Sequence, residues 1–291
     1  MATYVTSDAH GHVRALDAAL EAAGPGSADT VVVMGDMIDR GPDPVGVVNL
    51  VRGLPNVRVL MGNHEHMMLG ALLTGDASVQ GNWDINGGWA TLAQLDRLPR
   101  EQAAELVDWA SNLPLFDIVS VVDEFYASRA KAGDRRVYLL AHAGIDAAAA
   151  RAHLAGSGMA LEAPGAAARL GVERLRPMME AQATEDLLWI RERFWGAPTG
   201  LVDARGRGPV VVAGHTPSAV LGGFAQLMGG PVLDRSGRAR VVEVGACQDT
   251  GGVADRIDID ASAAGGSPHG QVAVMRLEDH RVWYAPVAEG E

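Results

Sequence analysis

The side chains in this 291-residue chain that could do chemistry are gathered in short turns. Gly35-Asp36-Met37-Ile38-Asp39-Arg40-Gly41 sets two carboxylates beside a guanidinium. Taken singly, such a turn is compatible with a surface ion pair of little worth. The same grammar recurs, however, in Ser7-Asp8-Ala9-His10-Gly11, Gly62-Asn63-His64-Glu65, His142-Ala143-Gly144 and Gly214-His215-Thr216-Pro217. Mixed imidazole, carboxylate and amide ligands without sulfur suit Mn, Fe or Zn more than Ca, whose sites are all oxygen. Two such ions roughly 3.5–4 Å apart can make a hydroxide near neutral pH and clamp a phosphoryl group for in-line attack. Asp36 is the candidate bridge, Asp8 and His10 complete the shell of one ion, and Asn63, His142 and His215 complete that of the other. The Asp-x-His spacing places Asp8 and His10 on one side of an extended segment. His12, His66, His153, His269 and His280 lack such a context and read as structural or surface residues.

Each turn follows an apolar run, which is what must position it. Tyr4-Val5-Thr6, Thr30-Val31-Val32-Val33-Met34, Val57-Arg58-Val59-Leu60-Met61, Val137-Tyr138-Leu139-Leu140-Ala141 and Val210-Val211-Val212-Ala213 read as buried strands, and in open α/β sheets sites lie beyond the carboxyl ends of such strands. Helical spacing over 12–23 ends at Gly24-Pro25-Gly26, and Asp43-Pro44 opens a second helix as N-cap and first residue. Three strands alternating with two helices by residue 62 predict a parallel sheet with right-handed crossovers. Residues 64–73 read as helix, 75–89 as loop and 101–109 as helix. Beyond Leu115, strands are expected at 115–122, 136–141, 209–213, 240–244, 256–260, 271–277 and 281–285, a run that suggests a second sheet facing the first. An alanine-rich stretch over 145–188 and a glycine-punctuated one over 218–255 interrupt this plan as insertions, the former as a helical cap.

Composition narrows the function classes. A chain of 30.4 kDa with 48% hydrophobic and 21% charged residues can bury a sizeable core. Its one cysteine, Cys247, excludes an intramolecular disulfide and a thiolate-rich zinc site. That cysteine usage, with no leader or apolar span in view, leads us to expect a cytoplasmic protein without a membrane partner. A net charge of −12 argues against a nucleic-acid footprint, so an anionic substrate must be held locally by metals and a few arginines.

The five turns, in their order, resemble those of the phosphoprotein phosphatases of the metallophosphoesterase (calcineurin-like) superfamily. Trp83-Asp84-Ile85-Asn86-Gly87-Gly88 and Leu188-Trp189-Ile190-Arg191-Glu192-Arg193-Phe194 are similar in particular to the bacterial and bacteriophage lambda phosphatase-like branch. The likeness runs from residue 3 to about residue 285. It implies an α/β fold of two mixed β-sheets packed face to face and flanked by helices, in a single domain over 1–291. It implies two divalent ions, often manganese, and one-step phosphomonoester hydrolysis by a metal-held hydroxide. By position, Asp8, His10, Asp36, Asn63, His142 and His215 match the metal ligands, Arg40, Arg191 and Asn63 the phosphate-binding groups, and His64 with Asp39 the general-acid pair. Arg191 rests on the resemblance alone, because an Arg-Glu-Arg run on a helix otherwise reads as a solvated face. Ser7 stands where the family usually has glycine, and Ala143 where glycine is common.

The expected function is therefore a metal-dependent serine/threonine protein phosphatase acting on a phosphorylated protein or a small phosphoester. A symmetrical dinucleoside polyphosphate hydrolase is the alternative with the same metals, and a non-catalytic phosphate-binding module the alternative of another class. Asp39 before Arg40 and Glu65 after His64 weigh towards the phosphatase.

Overall fold

The structure, a computed structural model, describes residues 1–126, 134–161, 163, 165–223 and 230–291. Strand β1 (Thr3–Thr6) leads through helix α1 (Val13–Ala23) to β2 (Thr30–Val33), and α2 (Pro44–Arg52) leads on to β3 (Val57–Val59). These three strands are parallel, with Val5 opposite Val32 and Val32 opposite Arg58. The local signals are used as expected. Gly24 takes φ 64° and returns its N–H to the Leu20 carbonyl, while the Asp43 carboxylate accepts the Gly46 N–H at the start of α2. Ala15, Leu16, Ala19 and Leu20 form the buried stripe of α1.

Four helices follow: α3 (Asn63–Thr74), α4 (Ala77–Ile85), α5 (Trp89–Leu95) and α6 (Arg100–Ser111). Most of the loop expected over 75–89 is thus helix. Asp76 caps α4 by accepting the Ser78 N–H at 2.7 Å, and Trp83 anchors it in the core with no exposure. Its apolar residues Val79, Trp83 and Ile85 are few and Ile85 is exposed, so periodicity carried little signal there.

Next come β4 (Phe116–Val122), β5 (Arg135–Ala141), α7 (Ala147–Gly156), α8 (Val172–Glu180), α9 (Thr184–Trp189), α10 (Glu192–Trp195), β6 (Val210–Ala213), β7 (Val242–Val244), β8 (Arg256–Asp258), β9 (Gln271–Arg276) and β10 (Val282–Pro286). The second sheet has the order β4-β5-β6-β8-β7. The expectation that all later strands join it is corrected at its end. β9 and β10 complete the first sheet as β10-β9-β1-β2-β3, with Val5 opposite Met275. Both sheets are mixed, and Val5, Val32, Met34 and Leu60 from one meet Tyr138, Leu140, Val212 and Ile257 from the other in a buried layer.

The stretch over 145–188 places Leu154 of α7 and Leu175, Met178 and Met179 of α8 in a cluster with Leu139 and Val211 of the second sheet. Its carboxyl end runs on to Trp189 and Arg191. Among the described residues no helix is long and apolar enough to cross a membrane.

Candidate metal centre

The carboxyl ends of β1, β2, β3, β5 and β6 converge, and Asp36 lies at the point of convergence. Its Oδ2 is 3.4 Å from His10 Nε2, its Oδ1 is 3.3 Å from His142 Nε2, and Oδ1 also accepts the His64 backbone N–H at 3.0 Å. Donor atoms of His10, Asp36 and His64 lie within 4.8 Å of one another, and so do those of Asp36, His142 and His215. Two ligand groups therefore share one carboxylate. Asp8 and Asn63 finish the cup. Asp8 Oδ1 is 3.9 Å from His10 Nε2, and Asn63 Oδ1 lies 2.8 Å from both His142 Nε2 and His215 Nδ1. The six residues expected as ligands are brought together, all of them buried. His64 joins the first group as well, closer to Asp36 than its expected role required.

The turns hold this arrangement against backbone preference. Asp8, His10, Asp36, Asp39, Arg40 and His215 all have positive φ, between 42° and 69°. Such conformations are costly for non-glycine residues and persist where the surroundings over-determine them. Here they are cross-linked: Asp8 N–H donates to the Gly35 carbonyl, His10 to Asp36, Gly11 to Met37, and Gly41 to His10. Glu65 ties the β2 turn to the β3 turn, its carboxylate accepting the N–H groups of Asp36, Met37 and Gly62 at 2.8–2.9 Å. A Cβ at Gly62 would lie 2.2 Å from Asp36 Oδ1, which is why that turn begins with glycine. Ser7, the departure from the family pattern, fits without disturbance and donates its hydroxyl to the Met34 carbonyl at 3.3 Å.

Hydrogen bonds set the ring states. His10 Nδ1 donates to the Ile38 carbonyl at 3.0 Å and His142 Nδ1 to the Met34 carbonyl at 2.8 Å, which turns each Nε2 towards Asp36. Burial opposes ionisation of Asp36, but His142, His64 and His10 around it hold its pKa well below the usual carboxylate range. Burial, and then the Asp36 charge, push Glu65 up to about 7. The buried ring of His142 is nonetheless raised to about 10 by Asp36 and Asp8, whereas burial, His142 and Arg191 push His215 down to about 2. His10 is likewise lowered, first by burial and then by His64. The carboxylates thus draw positive charge into the cup, while His10 and His215 stay neutral. A donor set of this kind fits divalent cations, which would take over the compensating charge that the His142 proton otherwise carries.

His64 stands on the first turn of α3. Its Nδ1 donates to Asp39 Oδ2 at 2.7 Å, and Arg40 Nη2 lies 3.0 Å from its Nε2. Asp39 has no exposed surface and is held by two residues distant in sequence. Trp83 Nε1 donates to Oδ2 at 2.8 Å and the Thr91 hydroxyl to Oδ1 at 2.5 Å. Neither was anticipated, and the only available signal was the Trp83–Gly88 turn itself. Arg40 reaches the His10 end of the cup, Nη1 to His10 Nε2 at 3.4 Å. Arg191 reaches the other end, Nε donating to His215 Nε2 at 2.9 Å. It is the residue before α10 rather than part of a continuous helix. Arg193 instead pairs with Asp146 and Asp186 at the surface.

The calcineurin-like phosphoesterase family model matches residues 1–244. Among curated proteins, symmetrical bis(5'-nucleosyl)-tetraphosphatases are similar: that of Proteus mirabilis is 31% identical over 147 residues, 50% of this chain and 45% of that enzyme. That of Pectobacterium atrosepticum is 31% identical over 120 residues, 40% of this chain and 39% of that enzyme. The chain spans less than half the length of these relatives. Serine/threonine-protein phosphatase 1 of Salmonella typhimurium is 40% identical over 78 residues, 26% of this chain and 32% of that protein. These relatives, mostly symmetrical tetraphosphatases, do not support the branch like the phage lambda phosphatase. In fold, a protein serine/threonine phosphatase from Saccharomyces cerevisiae superposes with TM-score 0.51 at 14% identity, covering 100% of this chain and 81% of its own. With the family model spanning most of its length and two ligand groups sharing Asp36, the chain belongs to the calcineurin-like phosphoesterases.

Proposed function

We propose that this chain is a metal-dependent hydrolase that cleaves dinucleoside tetraphosphates symmetrically, water adding across the central anhydride to leave two nucleoside diphosphates. The observation that carries the reading is the placement of Arg40 and Arg191 over opposite ends of one ligand cup. A polyphosphate chain lying across the cup would meet a guanidinium on each side of the scissile phosphorus, in the planar fork geometry suited to phosphate oxygens. The similarity to symmetrical tetraphosphatases over 40–50% of the chain supports the same choice. Glu65, which weighed towards a phosphatase on sequence, is engaged with three backbone N–H groups and so bears on turn building rather than on substrate.

Asp8, His10, Asp36, Asn63, His142 and His215 would hold two divalent ions, with Mn, Fe and Zn suited to the donors. Bound there, the ions supply a water of lowered pKa and positive charge for the phosphoryl oxygens. The chain's own residues do the rest. Arg40 and Arg191 bind and orient the phosphates, and Asn63 adds an amide at the cup. His64, oriented through Nδ1 by Asp39, faces Arg40 through Nε2, and would give a proton to a leaving oxygen once that guanidinium has turned to the phosphates.

A second reading, a serine/threonine protein phosphatase, is favoured by that same His64–Asp39 pair, since a serine alkoxide needs a proton far more than a nucleoside diphosphate does. The full donor set and the oriented acid weigh against a non-catalytic phosphate-binding module. The test is turnover by manganese-loaded protein of diadenosine tetraphosphate, phosphoserine, phosphothreonine and phosphotyrosine peptides, and small phosphate esters. Two ADP per dinucleotide support the proposal. Phosphopeptide turnover with the dinucleotide left intact overturns it in favour of the second reading.

A further inference from the structure

Beside the metal centre lies a recess of about 500 Å³, lined by His12, Arg40, Trp89, Arg97 and Glu291 among others. Its volume falls in the range of roughly 300–1,000 Å³ usual for small-molecule sites. Arg40 belongs to both places, since its guanidinium reaches His10 and His64 while its chain walls the recess. Two further features suit a nucleotide.

Trp89, the first residue of α5, is 64% exposed, although Trp83 of the preceding helix α4 is completely buried. A large ring left open at the mouth of a polar recess is a stacking platform. Its position relative to Arg40 is fixed. The Arg40 N–H donates to the Gly87 carbonyl at 3.2 Å, and its Nε donates to the Asn86 carbonyl at 3.4 Å. A Cβ at Gly87 would meet Arg40 Cγ at 2.8 Å, so the turn before Trp89 packs directly beneath the arginine.

Charge is the second feature. Among the described residues neither Arg40 nor Arg97 has a carboxylate partner, in a chain of net charge −12. The one acid lining the recess, Glu291, is engaged with α1, its Oε1 accepting the N–H groups of Arg14 and Ala15 at 2.8 and 3.2 Å.

We propose that this recess binds one nucleoside half of the substrate, the base stacking on Trp89 and its phosphates passing Arg97 and Arg40 to the metal centre. The proposal rests on the reading of the substrate as a dinucleoside polyphosphate. It makes Trp89 and Arg97 determinants of specificity.

The experiment compares diadenosine tetraphosphate with para-nitrophenyl phosphate on the manganese-loaded full chain. Trp89→Ala should lower the ratio of kcat/KM for the dinucleotide over that for the small ester by about tenfold, chiefly through KM, in keeping with the loss of one base–aromatic stack. Trp89→Phe should restore most of the ratio, which a merely structural role would not predict from an exposed position. Arg97→Gln should lower it too and weaken its dependence on salt. If the wild-type chain turns over the dinucleotide and both Trp89→Ala and Arg97→Gln leave the ratio unmoved, the subsite alone is overturned. If the wild-type chain, active on the small ester, leaves the dinucleotide intact, the substrate reading falls and the subsite falls with it.

Discussion

The two sheets reach the metal centre by different means. From the first come Asp8, His10, Asp36, Asn63 and His64, on turns with five non-glycine positive-φ residues from Asp8 to Arg40, laced together by main-chain hydrogen bonds and by Glu65. The second contributes the rings of His142 and His215. Its ties to the first are fewer: His215 N–H donates to Asp8 Oδ2 at 3.0 Å, and His142 Nδ1 to the Met34 carbonyl at 2.8 Å. The first sheet therefore carries the carboxylates and most of the backbone strain on a cross-linked frame, while the second presents two rings, only His215 of them with positive φ. Loss of a group in the first frame should disturb several ligands at once, whereas loss in the second should remain local.

The largest effect is expected from Asp36→Asn, which removes the carboxylate both ligand groups share. Activity should fall by at least about 10³-fold, and elemental analysis should find both ions depleted. By contrast His215→Ala should weaken one ion, so added metal should recover part of the activity. Equal, unrecoverable loss in both variants would erase the distinction between the sheets.

Next in size is His64→Asn. With metal loading confirmed, it should depress phosphoserine hydrolysis by about 10²–10⁴-fold where that substrate is turned over at all, and para-nitrophenyl phosphate or dinucleotide hydrolysis much less. An equal loss on every substrate would assign His64 to the metals rather than to proton transfer. Thr91→Val, which removes a donor from buried Asp39, should produce the same bias weakly and lower stability by about 1–3 kcal/mol, measurable by urea unfolding.

Arg191→Ala should raise KM and lower kcat, since its fork can act on ground and transition states alike. Arg193→Ala should be nearly silent, because its two ion pairs are made by a side chain 67% exposed and such pairs contribute about 0–1 kcal/mol. Similar kinetic defects in the two would show that the Arg191 end of the cup is organised otherwise.

The smallest effect concerns β8. Burial, and then the neighbouring Asp260 carboxylate, hold Asp258 well above the usual carboxylate range. A folded pKa above the unfolded one means that the native state keeps a proton the unfolded chain releases, so stability falls as pH climbs out of the ordinary carboxylate range. Asp258→Asn, able to keep the hydrogen bond from Asp260 N–H, should flatten that slope, narrowing the Tm difference between acid and neutral pH by about a few degrees.

Much of the candidate centre was legible because its expected ligands obey a local rule, an apolar run followed by a turn bearing Asp, Asn or His. Asp8, His10, Asp36, Asn63, His142 and His215 all satisfy it, and the structure brings all six together. The supports of Asp39 follow no local rule. Trp83 and Thr91 lie 44 and 52 positions further along, and nothing near them in sequence points back. The same cause hid the sheet to which β9 belongs, since periodicity identifies a strand but not its neighbour. Arg191 shows the converse, as its helix-like surroundings concealed a break in the helix that turns the side chain inwards.

Met34 has a consequence of another kind. Its carbonyl oxygen receives both the Ser7 hydroxyl and His142 Nδ1, and the Ile38 carbonyl does the same service for His10. Main-chain oxygens are present whatever residue occupies the position, so an alanine scan of this protein would pass over both without a signal. Asp39, which orients His64, is by contrast a side chain and can be exchanged by a single codon change. The metal-facing rings are thus set by features that sequence drift cannot easily reach, and the proton donor by one that it can. Divergence of chemistry on this frame would then begin at the acid, with the ions left in place.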